Sequence, residues 1–241
     1  TFHSICAGIL RKNIHHLEYT NSFTIYDSSD SKTLVKNVIK DMNLDSKQFE
    51  ASSYQYMISS KKNSLLSPND VAESAEGYVD EKLADIYTNY QNELEKNNAL
   101  DFDDLLVLPI KLFKEKPEVL EYYRQRYKYI LVDEYQDTNS PQFQFINLLS
   151  LIHRDIFVVG DDDQSIYGWR GADVRNILDF SKKYPDSKII KLEQNYRSTG
   201  NILEAAYSVV SKNKSRAEKK LWTENPKGSK IKLIECYDDR Q

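Results

Sequence analysis

Apolar residues recur along this chain in two rhythms, and the change between them falls near Asp101. From about Thr33 to Asn98 the spacing is three and four. Ala72, Ala75, Val79, Leu83, Ile86, Tyr90 and Leu94 share one face of a long amphipathic helix, with Asn69 after Pro68 as its N-cap. Glycine is scarce in this stretch and no catalytic-looking cluster occurs, so it reads as a helical insertion. After Asp101 the apolar residues come in short unbroken runs. Asp101 suits a cap for a helix through Leu108, which Pro109 kinks or ends. Tyr129–Val132 and Ile156–Val159 are apolar enough for strands buried on both faces, and Lys188–Leu192 predicts a third. Helices are expected from Pro141 to about Ile152, from Asp173 to Tyr184 and from Thr199 to Lys212, with a last strand at Ile231–Cys236. Strands alternating with helices call for an α/β fold built on a parallel sheet, whose ligands sit at the carboxyl ends of the strands.

All three strands between Tyr129 and Leu192 run into polar clusters at those ends. The first is Asp133-Glu134-Tyr135-Gln136-Asp137. A carboxylate at a strand end can hold magnesium beside nucleotide phosphates, and a second one can orient or deprotonate an attacking water. A plain turn or helix cap has the same composition. The second is Gly160-Asp161-Asp162-Asp163-Gln164-Ser165-Ile166-Tyr167-Gly168-Trp169-Arg170-Gly171-Ala172. The Gln164 amide suits a terminal phosphate or its water. Tyr167, Trp169 and Arg170 suit a platform for unpaired bases, unless Trp169 belongs to the core. The third is Gln194-Asn195-Tyr196-Arg197-Ser198, in which Arg197 suits either charge neutralisation on a transferring phosphoryl group or a surface ion pair.

Composition narrows these options only a little. The 241 residues can bury one large core or two modest ones, and with 29% charged residues the chain reads as soluble. No apolar run is long enough to span a membrane. Cys6 and Cys236 lie far apart and the four histidines are scattered, which fits a reducing cytoplasmic compartment and argues against zinc. A net charge of −4 does not announce nucleic acid, although Lys212–Lys232 holds eight Lys/Arg against two acids.

Leu131–Asn139 (LVDEYQDTN), Val159–Ala172 (VGDDDQSIYGWRGA) and Leu192–Ser198 (LEQNYRS) resemble helicase motifs II, III and IV of the UvrD/PcrA/Rep group in superfamily 1. Thr1-Phe2-His3-Ser4 resembles the DNA-contacting segment before that family's helical insertion. Leu100–Leu105 resembles the segment after it, and Leu221–Asn225 the early second motor domain. The resemblance spans essentially the whole chain in the family's order. It implies a RecA-like first motor domain at residues 1–24 and 106–192, a helical insertion at 25–105, and the start of a second RecA-like domain at 193–241. It implies ATP and Mg2+ as cofactors. Asp133 would hold the metal with Glu134 beside it as catalytic base, Gln164 would sense the γ-phosphate, Arg197 would contact it, and Tyr196 would pack on the adenine. Single-stranded DNA and single/double-strand junctions would be the partners, met by Thr1, Phe2, His3, Phe102, Tyr167, Trp169 and Arg170. A 3′→5′ polarity and a setting among repair or replication proteins are further implications.

One departure stands out. The family's phosphate loop, GxxxxGK[ST], does not occur in these residues, and neither do the later motifs of the second motor domain. Both ends read as truncations, so the polypeptide alone is expected to hydrolyse ATP poorly. Two other classes fit parts of the pattern. A metal-dependent nuclease could use Asp133, Glu134, Asp137 and Asp161–Asp163, but leaves Gln164, Tyr196 and Arg197 without work. A non-catalytic DNA-binding relic would follow only from a gene without the phosphate loop.

Overall fold

The computed structural model describes residues 1–214 and 216–235. Helices dominate its first half. These are α1 (Phe2–Asn13), α2 (Ser28–Asp41), α3 (Ala51–Asn63), α4 (Pro68–Glu73) and α5 (Tyr78–Lys96), with the two-residue strands β1 (Thr24–Ile25) and β2 (Ala99–Leu100) pairing in parallel. The single long helix predicted across Ala72–Leu94 is instead two. Ser67, not Asn69, caps α4 in a reciprocal capping box with Asp70, and Gly77 at φ 92° opens a separate start for α5. Of the predicted face only Leu83, Ile86, Tyr90 and Leu94 are buried in one cluster; Ala72 and Val79 are exposed, and α4 reaches that cluster through Val71 instead.

Two apolar cores meet at the short β1–β2 ladder. One joins Cys6, Ile9 and Leu10 of α1 to Phe113, Tyr123 and Phe145. The other gathers Val35, Ile39, Ile58, Ile86, Tyr90 and Leu94. Leu100 belongs to the first and Ala99 to the second, so adjacent residues of β2 face different cores. Cys6 is fully buried, and burial pushes its thiol up to about 12, a neutral packing residue. Cys236 lies outside the described residues.

The second half alternates. Helices α6 (Asp104–Glu115) and α7 (Pro117–Arg126) lead to β3 (Ile130–Val132), α8 (Ser140–Ser150) and β4 (Ile156–Val158). Pro109 neither kills nor shortens α6. Leu105, Leu106, Leu108, Ile110, Leu112 and Phe113 are all buried, and that burial outweighs one missing hydrogen bond. Strands β3 and β4 pair in parallel, with Leu131 opposite Phe157. They are not buried on both faces as their composition predicts. Leu131 is 73% and Phe157 59% exposed, because among the described residues nothing packs on the face they share.

Three further expectations are corrected. The helix at Asp173–Tyr184 is divided into α9 (Arg175–Leu178) and α10 (Phe180–Lys183), and α11 spans Gly200–Val210. Among the described residues Lys188–Leu192 joins no sheet. Its neighbourhood offers only an isolated parallel bridge between Gln194 and Trp222, and Ile231–Glu235 is likewise irregular. Apolar β-branched residues gave the right propensity, but a strand also needs a paired neighbour.

A buried charge cluster ties the two halves together. Lys62, at the end of α3, places Nζ 2.8 Å from Asp101 Oδ2 and 2.6 Å from Asp104 Oδ1, and Tyr90 donates to Asp101 at 2.8 Å. Asp101 also accepts from the Asp104 backbone at 2.8 Å, although the N-cap position of α6 is Asp103 rather than Asp101. Two carboxylates share one ammonium. Burial, and then Asp101, push Asp104 up to about 7 despite Lys62. Between the ordinary aspartate range near ~4 and about 7, the folded chain holds a proton that the unfolded chain has released. Stability contributed by this group therefore falls as pH rises through that window. Urea midpoints measured from pH 4.5 to 7.5 (about that range) are expected to fall less steeply for Asp104→Asn than for the unmodified chain. Identical slopes would remove Asp104 as the source.

Candidate nucleotide and single-strand site

Strand β3 ends at Val132, and the chain turns sharply so that Asp133 and Glu134 stand exposed at its carboxyl end. Glu134 sits in the left-handed region at φ 51°, a conformation costing a non-glycine residue about 1–3 kcal/mol. The surroundings hold it there. Gln136, buried to 1% exposure, donates Nε2 to Glu134 Oε2 at 2.8 Å. Its Oε1 accepts from the Asp161 backbone at 3.0 Å, across the end of the neighbouring strand. Gln136 thus welds the first cluster to the second, a task that its place in the sequence does not suggest. The seam is tight. A Cβ on Gly160 would lie 2.5 Å from Gln136 Oε1 and 2.8 Å from Ile177 Cδ1, so a larger residue here would push the Gln136 amide out of this bridge.

The second cluster is a folded loop rather than a loose run. Asp161 accepts from Asp163 N at 3.1 Å and from Gln164 Nε2 at 2.7 Å, which fixes the Gln164 side chain at the strand end. Farther along, Gly171 at φ 82° closes a turn that exposes Trp169 by 66% and Tyr167 by 38%. The Arg170 guanidinium lies 4.4 Å from the Trp169 ring centre and 5.1 Å from that of Tyr167. Trp169 is therefore a surface residue stiffened by a cation, not a core residue.

Asp161, Asp162 and Asp163 are close enough to hold a metal ion, but cations of this chain already occupy them. Lys219 Nζ lies 2.5 Å from Asp161 and 2.7 Å from Asp162, and Arg216 pairs with Asp163 at 2.7 Å. The Arg216 hydrogen bond holds the Asp163 carboxyl below the usual aspartate range. Lys219 stays above the usual lysine range because Asp161 and Asp162 outweigh its partial burial. Among the described residues Asp133 has no such cation, and its carboxylate accepts from Glu134 N at 2.9 Å. An exposed oxygen donor with that freedom suits a hard divalent ion held partly through water.

The third cluster lies on an irregular loop. Asn195 Oδ1 accepts from the backbones of Arg197 and Ser198, and Asn225 donates to the carbonyls of Tyr196 and Ser198. Arg197 is exposed, and Tyr196 is 80% exposed with its hydroxyl on Gln194. Lys219 and Arg216 bind the second cluster while the Trp222 carbonyl accepts from Asn195 N at 2.7 Å, so one short segment touches clusters two and three.

The amino-terminal candidates separate. Thr1 caps α1 through Ser4, and Phe2 is half-buried against both the α1 core and the β3 core. His3 lies 5.7 Å from the Phe102 ring, and Phe102 is 53% exposed. Burial, opposed by Asp103, holds the His3 imidazole below its usual range. His3 and Phe102 thus form a second aromatic surface, whereas Phe2 spends its ring on packing.

The site thus sets paired acids at the end of one parallel strand, a pinned glutamine at the end of the next and an exposed Trp–Arg pair beyond, all on an α/β frame. The chain belongs to the UvrD/Rep helicase family. Residues 1–185 match the family model of the UvrD/REP helicase N-terminal domain, and residues 190–241 match that of the UvrD-like helicase C-terminal domain. Among particular proteins, it is 48% identical over 240 residues to the ATP-dependent DNA helicase PcrA of Staphylococcus aureus strain Mu50. The same figures hold for the PcrA helicase of Staphylococcus epidermidis strain RP62A, with 100% of this chain and 33% of each relative covered. The chain thus spans about a third of the length of these curated relatives.

Proposed function

We propose that the whole protein is an ATP-dependent DNA helicase that moves 3′→5′ along single-stranded DNA, and that this chain supplies the catalytic acids and part of the DNA grip. The observation carrying this reading is continuity. Gln136 joins Glu134 to the Asp161–Gln164 turn, and that turn runs within five residues into the exposed Trp169. One loop system can therefore respond to a nucleotide at one end and to DNA at the other.

In this reading residues 1–24 and 106–192 belong to a RecA-like motor domain, 25–105 to its helical insertion and 193–241 to a second RecA-like domain. Asp133 would hold magnesium, which would supply positive charge against the phosphates. Glu134 takes a proton from the water that attacks the γ-phosphorus of ATP, as the bond to the bridging oxygen breaks and ADP leaves. Gln164 orients that water or the γ-phosphate, Arg197 offsets its charge, and Tyr196 packs on the adenine. Tyr167, Trp169 and Arg170 stack unpaired bases, with His3 and Phe102 farther along the strand. Work in a cytoplasmic repair or replication setting, at single/double-strand junctions, follows from the same reading.

The test is ATP hydrolysis by the full-length protein with and without single-stranded DNA. DNA-stimulated hydrolysis is expected, and its absence overturns the reading. Trp169→Ala is expected to weaken single-strand binding by about 1–3 kcal/mol. Unchanged affinity in a fluorescence titration would leave the platform without a role.

A further inference from the structure

Asn63, the last residue of α3, has no place in the chemistry above, yet three elements converge on it. Its Oδ1 accepts from Asn139 Nδ2 at 2.7 Å, and its own Nδ2 donates to Asp103 Oδ1 at 2.9 Å. Its Cβ also faces Gly171, where an added Cβ would sit 3.6 Å away. Each contact leads to a different surface. Asn139 follows directly on the acidic cluster after β3 and bridges in antiparallel fashion to Ala172, at the end of the Trp169 loop. Asp103 neighbours Phe102 and lies close enough to His3 to oppose the depression of its imidazole. The spacing of polar residues in α3 offers no hint of this, because the partners lie 40 and 76 residues away.

The chemistry of the junction is directional. An asparagine offers one acceptor and one donor group, and here the acceptor faces an amide while the donor faces a carboxylate. The Asp103 carboxyl is half-buried, so losing this donor would leave an acceptor only partly open to water. Turning the Asn63 amide over would set oxygen against oxygen at Asp103 and nitrogen against nitrogen at Asn139. The side chain therefore has one satisfied orientation, and the elements it touches cannot shift independently without losing a bond. Beside it, Lys62 fixes the same end of α3 to Asp101 and Asp104, so the junction sits on a rigid base.

The geometry points to Asn63 as a positioning residue that couples the nucleotide-side loop, through Asn139, to the single-strand surface formed by Trp169, Phe102 and His3. This rests on the helicase reading and names the route by which DNA occupancy is felt at the acids. It assigns a part in the motor's coupling to the end of a helix that contributes neither an acid nor a base.

The experiment uses the full-length protein and oligo-dT as the single-strand probe. Asn63→Ala is expected to leave hydrolysis without DNA within about twofold, and to cut stimulation at saturating oligo-dT by about tenfold, within the span usual for coupled sites. Asn139→Asp keeps the oxygen that accepts from Gln142 at the start of α8 but removes the donor to Asn63. It should lose stimulation to a similar degree, and the double variant should lose no more than either single one. Full stimulation in Asn63→Ala overturns the inference. So does a parallel fall in unstimulated hydrolysis, oligo-dT affinity and melting temperature, which would mark Asn63 as structural. Absence of stimulation in the unmodified protein would instead overturn the helicase reading, and the coupling with it.

Discussion

Glu134→Gln in the full-length protein is expected to lower DNA-stimulated ATP hydrolysis by about 10²–10⁴-fold, the usual span for removing a general base. Nucleotide binding should survive. The reason lies in the geometry of the turn after β3. Glutamine keeps an oxygen that can accept from Gln136 Nε2, the bond now made to Glu134 Oε2 at 2.8 Å. The left-handed backbone, the Gln136 bridge to Asp161 and the exposed Asp133 are therefore left in place, and only proton affinity is lost. Nucleotide affinity, read by a fluorescent ATP analogue, separates the two roles the position could have. Lost turnover with retained affinity fits a base. Parallel loss of both would make Glu134 a ligand, and undiminished turnover would move the base elsewhere.

Lys62→Met is expected to destabilise the chain by about 3–5 kcal/mol, because removing one partner strands buried charge. Side chains of Lys62, Asp101 and Asp104 are exposed by only 1%, 9% and 3%, so water cannot substitute for the ammonium. Tyr90 would remain as a donor to Asp101, but nothing on a side chain would answer Asp104. Adding Asp104→Asn to Lys62→Met should restore part of the loss, since one of two unpaired carboxylates becomes neutral. The sign of the pH effect follows as well. Without the lysine both carboxylates titrate higher, so the variant should regain stability as pH falls toward 5 (about that value). Denaturant unfolding measures all three. A loss below about 1 kcal/mol would show that the cluster relaxes into solvent, as exposed pairs do.

These two residues differ in how much the sequence revealed of them. Glu134 stood in a run whose order, apolar strand then paired acids, carries its own chemistry. Trp169 was legible too, because glycine and arginine beside an aromatic are a poor recipe for a core. Lys62 and Asn63 were not. Both sit at the end of α3, in a run of polar residues without a distinctive pattern, and only folding brings Asp101, Asp103, Asp104 and Asn139 to them. Gln136 was invisible for a similar reason, since its amide matters through Asp161, 25 residues away. The acidic run Asp161–Asp163 misleads in the opposite direction. Read alone it is a metal site, but Lys219 and Arg216 supply the positive charge from more than 50 residues downstream.

Local order along the chain therefore determined three things about this protein: the α/β alternation after Asp101, the helical stretch before it, and the strand-end clusters. Hydrophobic period and turn residues act over a few positions and can be read over a few positions. Tertiary structure alone decided the rest. It divided the predicted long helix at Gly77, kept Pro109 inside α6, left Lys188–Leu192 without a partner strand, and placed Asn63 and Gln136 at the junctions. The physical reason is common to all of these. A buried hydrogen bond or ion pair gains its strength from the desolvation that distant segments impose together, and no short window of sequence contains both partners.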